Sequence, residues 1–149
     1  MGLWITDLPA LEREWDCRYD AEPVEGVFRD ILQQQWEITA RDERNYLFHS
    51  FWLLLRKTDR IVVGALDFKA PPNTQKEVEI GYGLGGAHER RGYMTEAVNA
   101  LCDWALRRTD VESILAETER NNRLSQGVLQ RCHFVLECEG DTLWWRRTK

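Results

Sequence analysis

The sequence predicts an α/β fold in which a mixed, mainly antiparallel central sheet is flanked by helices. The hydrophobic pattern has a helical period up to about residue 40, becomes strand-like from residue 48 to residue 84, and is helical again after Gly92. Two β-branched or aromatic runs are joined by the turn-like "KTDR", which is typical of a β-hairpin. The 149 residues suffice for one domain with a substantial core and are few for two, so we predict a single domain over residues 1–149.

The N-terminal part of the chain is predicted to be helical. Residues 7–16 form a short helix with Asp7 as its N-cap, and residues 24–39 form a second helix. This second helix is predicted to carry one apolar stripe, which consists of Val27, Phe28, Ile31 and Leu32, with Trp36 as a further candidate. Residues 1–6 supply a short opening strand or none.

The middle and C-terminal parts are predicted to alternate between strands and helices. Three strands cover residues 48–57, 60–70 and 76–84, and a helix of about four turns follows Gly92. A further strand covers residues 111–119, and a helix over residues 121–132 has Asn121 or Asn122 as its N-cap. A hairpin across Gly140 and Asp141 ends the chain.

Charge and composition exclude several classes of function. A net charge of −5 argues against a general binder of nucleic acid or of anionic membranes, since both need a basic face. No apolar run is long enough to span a bilayer, and no signal peptide is visible, so we expect a cytoplasmic protein without a membrane partner. The four cysteines lack C-x-x-C spacing and the three histidines are isolated from them, so no metal site is predicted. The seven scattered tryptophans are expected in core and rim packing.

Two successive motifs between residues 79 and 97 point to different phosphate ligands. Gly81, Gly83 and Gly86 spell G-x-G-x-x-G, the fingerprint of dinucleotide-binding loops. That fingerprint requires a helix that opens directly at the glycines and an acidic residue about 20 positions further on, at the end of the next strand. Here the helix opens only near Gly92, and Asp103 lies in the middle of that helix. We therefore reject a dinucleotide site.

The second motif is "RRGYMTEA", which joins a strand to the N-terminus of a helix. Free amides and the helix dipole favour an anion at such a position, and Gly92 lets the backbone approach it closely. Arg90 and Arg91 add charge-assisted contacts, and Thr95 adds a hydroxyl near the first turn. We call residues 89–95 the phosphate loop. The alternative for two arginines alone is a solvated basic loop.

The segments "VEIGYGL", "HERRGYMTEAVNALCDWAL" and "ILAETERNNRLSQGVLQRCHF" together resemble the GNAT superfamily of N-acetyltransferases. The resemblance is strong from about Val62 to Arg147, and it is closest to the branch that acetylates ribosomal proteins and its uncharacterised relatives. In this family the motif Q/R-x-x-G-x-G/A binds the pyrophosphate of coenzyme A. Here the motif falls on Glu89, Arg90, Arg91, Gly92, Tyr93 and Met94. Gly92 matches, whereas Glu89 replaces Gln or Arg and Met94 replaces Gly or Ala.

A second family motif, N-x-x-S before the end of a helix, falls on Asn122 and Ser125. The resemblance implies that Asn122 bonds the pantetheine amides, with helix capping as its alternative role. His133 stands where the family has glycine, so we expect a left-handed helix cap there rather than a catalytic histidine. The tyrosine that many members carry on this helix is Gln130 here. Ser125 is therefore the candidate acid for the thiolate, with capping or pantetheine binding as alternatives.

Acetyl transfer also needs a group that polarises the thioester carbonyl and a base. We assign the first role to the backbone amide of Leu84, where the strand "EIGYGL" ends. Glu79 is the candidate base because it is a carboxylate in an otherwise apolar strand, where burial would raise its pKa. Its alternative is a structural partner for a basic group, and Glu117 and Glu119 are the other candidate bases.

The resemblance implies an N-acetyltransferase that uses acetyl-CoA as donor and transfers the acetyl group by direct attack of a primary amine. The acceptor is a small molecule or a protein N-terminus, and no metal or nucleic acid is expected. Whether the chain forms a homodimer stays open. The rival interpretation is a non-catalytic module that binds acyl-CoA.

Overall fold

We describe residues 1–149 from a computed structural model, in which the chain forms two compact units. Unit one comprises Met1–Asp67 and Tyr82–Arg91, and unit two comprises Phe68–Gly81 and Gly92–Lys149.

Unit one begins with helices and continues into strands. Its helices are α1 (Gly2–Thr6), α2 (Leu8–Trp15), α3 (Gly26–Arg41) and the short α4 (Tyr46–His49), which follows a 3₁₀ turn at Glu43–Asn45. Its strands are β1 (Arg18–Tyr19), β2 (Trp52–Arg56) and β3 (Ile61–Phe68), of which only the last residue of β3 belongs to unit two. Strand β3 pairs in parallel with β1 and antiparallel with β2.

The core of unit one explains why the N-terminal helices fold. Trp4 is 3% exposed, and its ring packs nearly edge-on against Phe28 and Phe51 at centroid distances of 5.8 and 5.7 Å. Edge-to-face aromatic pairs add to the gain from burial. Leu32 of α3 is fully buried in the same cluster. Trp4 confirms the predicted core role of a tryptophan, and the half-exposed Trp15 confirms the rim role.

Unit two contains strand β4 (Glu77–Leu84), whose last three residues belong to unit one, and helix α5 (Tyr93–Leu106). It continues with β5 (Ser113–Glu119), α6 (Arg123–Arg131), β6 (Val135–Glu139) and β7 (Thr142–Thr148). Its strands are ordered β4-β5-β7-β6, with β4 and β5 parallel and the other two pairs antiparallel. These elements confirm the predicted α/β class with a mixed, mainly antiparallel sheet.

Arg147 of β7 fixes the two helices of unit two. Its guanidinium donates to the side chain of Asn99 at 3.0 Å and to the carbonyl of Cys132 at 3.2 Å. It also donates to Asp103 at 2.5 Å. One side chain thus positions the middle of α5, the helix that begins in the phosphate loop.

Several helix ends confirm the sequence prediction. Asp7 caps α2 by accepting a hydrogen bond from the amide of Ala10 at 3.0 Å. Asn122, rather than Asn121, is the N-cap of α6. Helix α5 has 14 residues, in agreement with the predicted four turns.

The N-terminal half differs from the sequence prediction at the start of one strand. Residues 1–6 are helical, in agreement with the alternative that they supply no strand, and the opening strand is the two-residue β1. Phe48 and His49 belong to α4 instead of a strand, because Asp42 bonds Asn45 and His49 and closes a turn there. The apolar stripe of α3 is only partly buried: Val27 is 75% exposed and Ile31 is 43% exposed.

None of the helices combines the length and the hydropathy that a membrane span needs. No group of three or more His, Cys, Asp or Glu side chains is arranged to hold a metal ion.

Candidate active site

Glycines at the carboxyl end of β4 make room for neighbouring backbone within unit one. A Cβ atom on Gly64 would lie 2.5 Å from the carbonyl oxygen of Gly83, and one on Gly85 would lie 2.4 Å from that of Asp20. Cβ atoms do not approach backbone oxygens so closely, so the β3 backbone and the loop after β1 pack here because these positions are glycine. A Cβ on Gly86 would meet open space. The close packing therefore depends on Gly64 and Gly85, neither of which is a glycine of the G-x-G-x-x-G pattern.

The backbone direction at this strand end suits the role assigned to Leu84. The amide of Gly85 donates to the carbonyl of Val63 on β3 at 2.9 Å. Successive residues of a strand direct their amides to opposite sides. The amide of Leu84 therefore points away from β3, where it is not used by that strand.

The phosphate loop has a backbone shape that depends on its glycine. Arg90 and Gly92 both have left-handed backbone angles, with φ of 61° and 81°. Gly92 is the N-cap of α5 and provides no side-chain cap for the amides of the first turn. A Cβ on Gly92 would meet nothing within 4 Å.

The side chains of the loop differ in what they can contact. Glu89, Arg90 and Arg91 are exposed, whereas Met94 is buried. Met94 can therefore reach a ligand only through its backbone, which is why a large residue is tolerated where the family has Gly or Ala. Tyr93 and Thr95 are partly exposed on the first turn.

Sequence reasoning missed Arg131, the last residue of α6, whose side chain reaches the first turn of α5. Its Nε donates to the hydroxyl of Thr95 at 3.2 Å. The side chain passes Gly127, where a Cβ would lie 3.1 Å from Arg131 Nη1. The small residue at position 127 thus leaves space for the Arg131 guanidinium beside Thr95. The sequence signal was the Gly-x-x-x-Arg spacing on α6, which places the two residues one turn apart.

The second family motif is ordered by its own hydrogen bond. The side chain of Asn122 accepts from the amide of Ser125 at 3.1 Å, so the alternative capping role of Asn122 is present. His133 has a φ of 65°, which confirms the predicted left-handed cap after α6. Gln130 is exposed on the last turn of that helix.

The candidate bases have identified partners. Glu79 lies between the buried Val78 and Ile80, as the alternation predicts, but its own side chain is 25% exposed. It forms an ion pair with Lys69, so the structural role left open for Glu79 is present. Glu117 accepts a hydrogen bond from Thr142 at 2.6 Å, and both Glu117 and Glu119 are exposed.

A second missed residue is His88, in the 3₁₀ turn Gly86–His88 that precedes the phosphate loop. It is only 5% exposed, and its Nε2 lies 2.8 Å from Asp20 Oδ2. Its Nδ1 lies 3.5 Å from a guanidinium nitrogen of Arg56. This pairing ties the start of the phosphate loop to β2 and to the loop after β1 within unit one.

A family model described as an acetyltransferase (GNAT) domain matches residues 5–135. This chain belongs to the GNAT acetyltransferase family. Residues 5–135 include most of both units and all of the phosphate loop, so the whole candidate site lies inside the matched region.

Curated relatives agree with this assignment and identify the protein as an N-acetyltransferase enzyme. The chain is 35% identical over 146 residues to the uncharacterized N-acetyltransferase YjdG of Bacillus subtilis (strain 168), covering 91% of this chain and 86% of that protein. It is 30% identical over 118 residues to the probable N-acetyltransferase YjcK of the same organism, covering 79% of this chain and 62% of that protein.

Solved structures share the fold of this GNAT chain. The ribosomal-protein-S5-alanine acetyltransferase of Vibrio fischeri superposes with a TM-score of 0.69 at 19% identity, covering 87% of this chain and 78% of that chain. The microcin C7 self-immunity acetyltransferase MccE, solved in complex with acetyl-CoA and AMP, superposes with a TM-score of 0.61 at 21% identity, covering 76% and 67%. Membership in the GNAT family implies acetyl transfer from acetyl-CoA.

Proposed function

We propose that residues 1–149 act as one domain that transfers the acetyl group of acetyl-CoA to a primary amine by direct attack. The observation that carries the proposal is the phosphate loop, in which Gly92 leaves the first amides of α5 without a side-chain cap. A helix N-terminus with free amides binds phosphate groups, and the two exposed arginines before Gly92 supply the opposite charge. The family match over residues 5–135 supports a single functional domain.

In the proposed reaction the amine nitrogen attacks the thioester carbonyl carbon, and a C–N bond forms as negative charge collects on the carbonyl oxygen. The amide of Leu84, directed away from β3, stabilises that oxygen. The C–S bond then breaks, and the coenzyme A thiolate leaves with the bonding electrons. The amine loses a proton to a base, for which Glu79 is our candidate, and the thiolate takes up a proton, for which Ser125 is our candidate.

The acceptor is proposed to be a small amine or a protein N-terminus. Ribosomal-protein acetyltransferases are among the proteins that share the fold, which favours a protein N-terminus as one of the classes to be tested.

The proposed reaction is tested by incubating the protein with acetyl-CoA and a panel of amines while free thiol is detected. We expect thiol release that depends on both the protein and one class of amine, with a matching acetylated product in mass spectrometry. Tight binding of coenzyme A without turnover on any amine would instead support a non-catalytic acyl-CoA module.

Replacement of Glu79 by glutamine tests the assignment of the base. The change keeps the shape and removes only the charge that accepts a proton, so kcat should fall by at least about tenfold while coenzyme A affinity is kept. Steady-state kinetics with the accepted amine measures kcat in both proteins, and calorimetric titration measures their affinity for coenzyme A.

The control is Lys69→Gln, which removes the same ion pair and keeps the carboxylate. Lys69 is half-exposed, so the loss of this pair should cost little stability. Equal loss of turnover in both variants would show that the ion pair, and not the base, matters. In that case Glu117 and Glu119 become the candidates.

A further inference from the structure

The loop after β1 is held firmly against the carboxyl end of β4. The amide of Asp20 donates to the carbonyl of Val62 at 2.9 Å, and the Tyr19 hydroxyl donates to the carbonyl of Glu22 at 2.6 Å. Burial raises the pKa of Tyr19 to about 12, so its hydroxyl stays a proton donor at neutral pH. The absence of a side chain at Gly85 allows the backbone of Asp20 to lie against the strand. Residue 22 therefore has a defined position relative to β4.

The side chain of Glu22 lies beside Gly83, one residue before Leu84. Its Oε2 is 3.5 Å from the point where a Cβ of Gly83 would lie, and outside Gly83 and its two chain neighbours no other heavy atom comes within 4 Å of that point. A larger residue at position 83 would extend into the space in front of this carboxylate. The glycine thus leaves Glu22 open to a ligand that approaches the end of β4.

Two of the three acidic residues of this loop, Asp20 and Glu22, differ in their partners. Asp20 is paired with the buried His88, which satisfies its carboxylate within the fold. Glu22 is exposed and has no salt-bridge partner in unit one; only its carbonyl is bonded, by Tyr19. An exposed carboxylate without a cation, next to the strand end where the thioester carbonyl is expected, attracts a positively charged group.

We infer that Glu22 binds the protonated amine of the acceptor and makes the enzyme select amines that are cationic in solution. The inference rests on the proposed function, because an amine acceptor must approach the thioester at the end of β4. Alkyl amines and protein N-termini carry a positive charge before they lose the proton, so a carboxylate binds them in that form. Glu22 is a specificity-determining residue, and removal of the proton stays with the base.

The test compares wild type with Glu22→Gln, Glu22→Asp and the control Glu25→Gln. Glu25 lies in the same loop and is exposed, and it makes no side-chain cap bond to α3, so it reports any general effect of removing an acidic charge. The acceptors are 2-phenylethylamine and a peptide with an N-terminal alanine, which are cationic at neutral pH, and aniline, which is neutral.

We expect Glu22→Gln to raise KM for the cationic acceptors by about tenfold, with kcat within twofold of wild type, since a binding contact is lost and the chemistry is kept. For the cationic acceptors, the KM of Glu22→Asp should lie between those of wild type and Glu22→Gln. KM for aniline should not change in any variant. Coenzyme A affinity and Tm should match wild type in all variants.

Two results would overturn the inference, and they can be told apart. If wild type acetylates the cationic acceptors and Glu22→Gln has the same KM as Glu25→Gln, Glu22 has no role and the proposed function stands. If wild type binds coenzyme A and acetylates no acceptor, the proposed function fails and the role of Glu22 fails with it.

Discussion

Replacement of Gly92 by aspartate should lower the affinity for coenzyme A by on the order of a thousandfold or more. Gly92 is the N-cap of α5, and a Cβ there would meet open space, so the new carboxylate can accept hydrogen bonds from the first-turn amides. These are the amides that we assign to the pyrophosphate. The variant therefore both occupies the proposed anion site and repels the anion by charge.

The same substitution should leave the protein folded. Gly92 has a φ of 81°, a left-handed conformation that costs a non-glycine residue roughly 1–2 kcal/mol. Aspartate tolerates this region better than most residues, and a carboxylate at a helix N-terminus interacts favourably with the helix dipole. Capping and dipole together offset part of the strain, so the Tm should fall by only a few degrees.

Gly92→Asn is the matched control because asparagine has the same shape, can cap the helix and accepts the left-handed conformation. It carries no charge, so its loss of affinity should be clearly smaller than that of Gly92→Asp. Calorimetric titration with coenzyme A measures both variants, and circular dichroism checks their folding. A folded Gly92→Asp protein with wild-type affinity would show that the phosphate loop does not hold the pyrophosphate.

The features that the sequence predicted well depend on neighbouring residues in the chain. Asp7 and Asn122 cap helices through bonds to amides three residues away, and short polar side chains before an apolar period predict such caps. His133 follows a helix at a position that requires a left-handed backbone. These are local rules, and a single sequence is sufficient to apply them.

Sequence rules are insufficient where tertiary contacts decide. The apolar residues of α3 occupy more of the helix surface than the core covers, so Leu32 is buried while Val27 remains exposed. Periodicity shows that a helix has an apolar face but not how much of that face is covered. The opening strand is defined by its parallel pairing with β3. It has only two residues, which are too few to leave a pattern in the sequence.

The site was predictable only in its continuous part. The phosphate loop is one segment, and its motif could be read directly. Arg131 reaches Thr95 across 36 positions of sequence, and Glu22 reaches Gly83 across a distance of about 60 residues in the chain, so neither pairing has a local signature. The ion pair of Glu79 with Lys69 joins adjacent strands and likewise depends on their register.

Replacement of Gly85 by alanine should destabilise the protein by about 2–4 kcal/mol. Its φ of −61° suits any residue, so the backbone conformation itself is not strained by the change. The cost comes from space: the new Cβ would lie 2.4 Å from the carbonyl oxygen of Asp20 and 3.2 Å from the Cα of Ala21. Both atoms are backbone and neither can rotate away, so the loop after β1 must move off β4. Urea unfolding monitored by tryptophan fluorescence measures the loss.

The neighbouring Gly86→Ala is the control that separates crowding from any general effect of removing a glycine. Gly86 also lacks a left-handed φ, but a Cβ there would meet nothing within 4 Å. Alanine at this position restricts the unfolded chain and should leave stability unchanged or raise it by up to about 1 kcal/mol. Equal stability of the two variants would contradict a packing role for the glycine at position 85. If the loop after β1 does move off β4 in Gly85→Ala, the carboxylate of Glu22 moves with it, so the folded fraction of that variant should also show a raised KM for cationic acceptors.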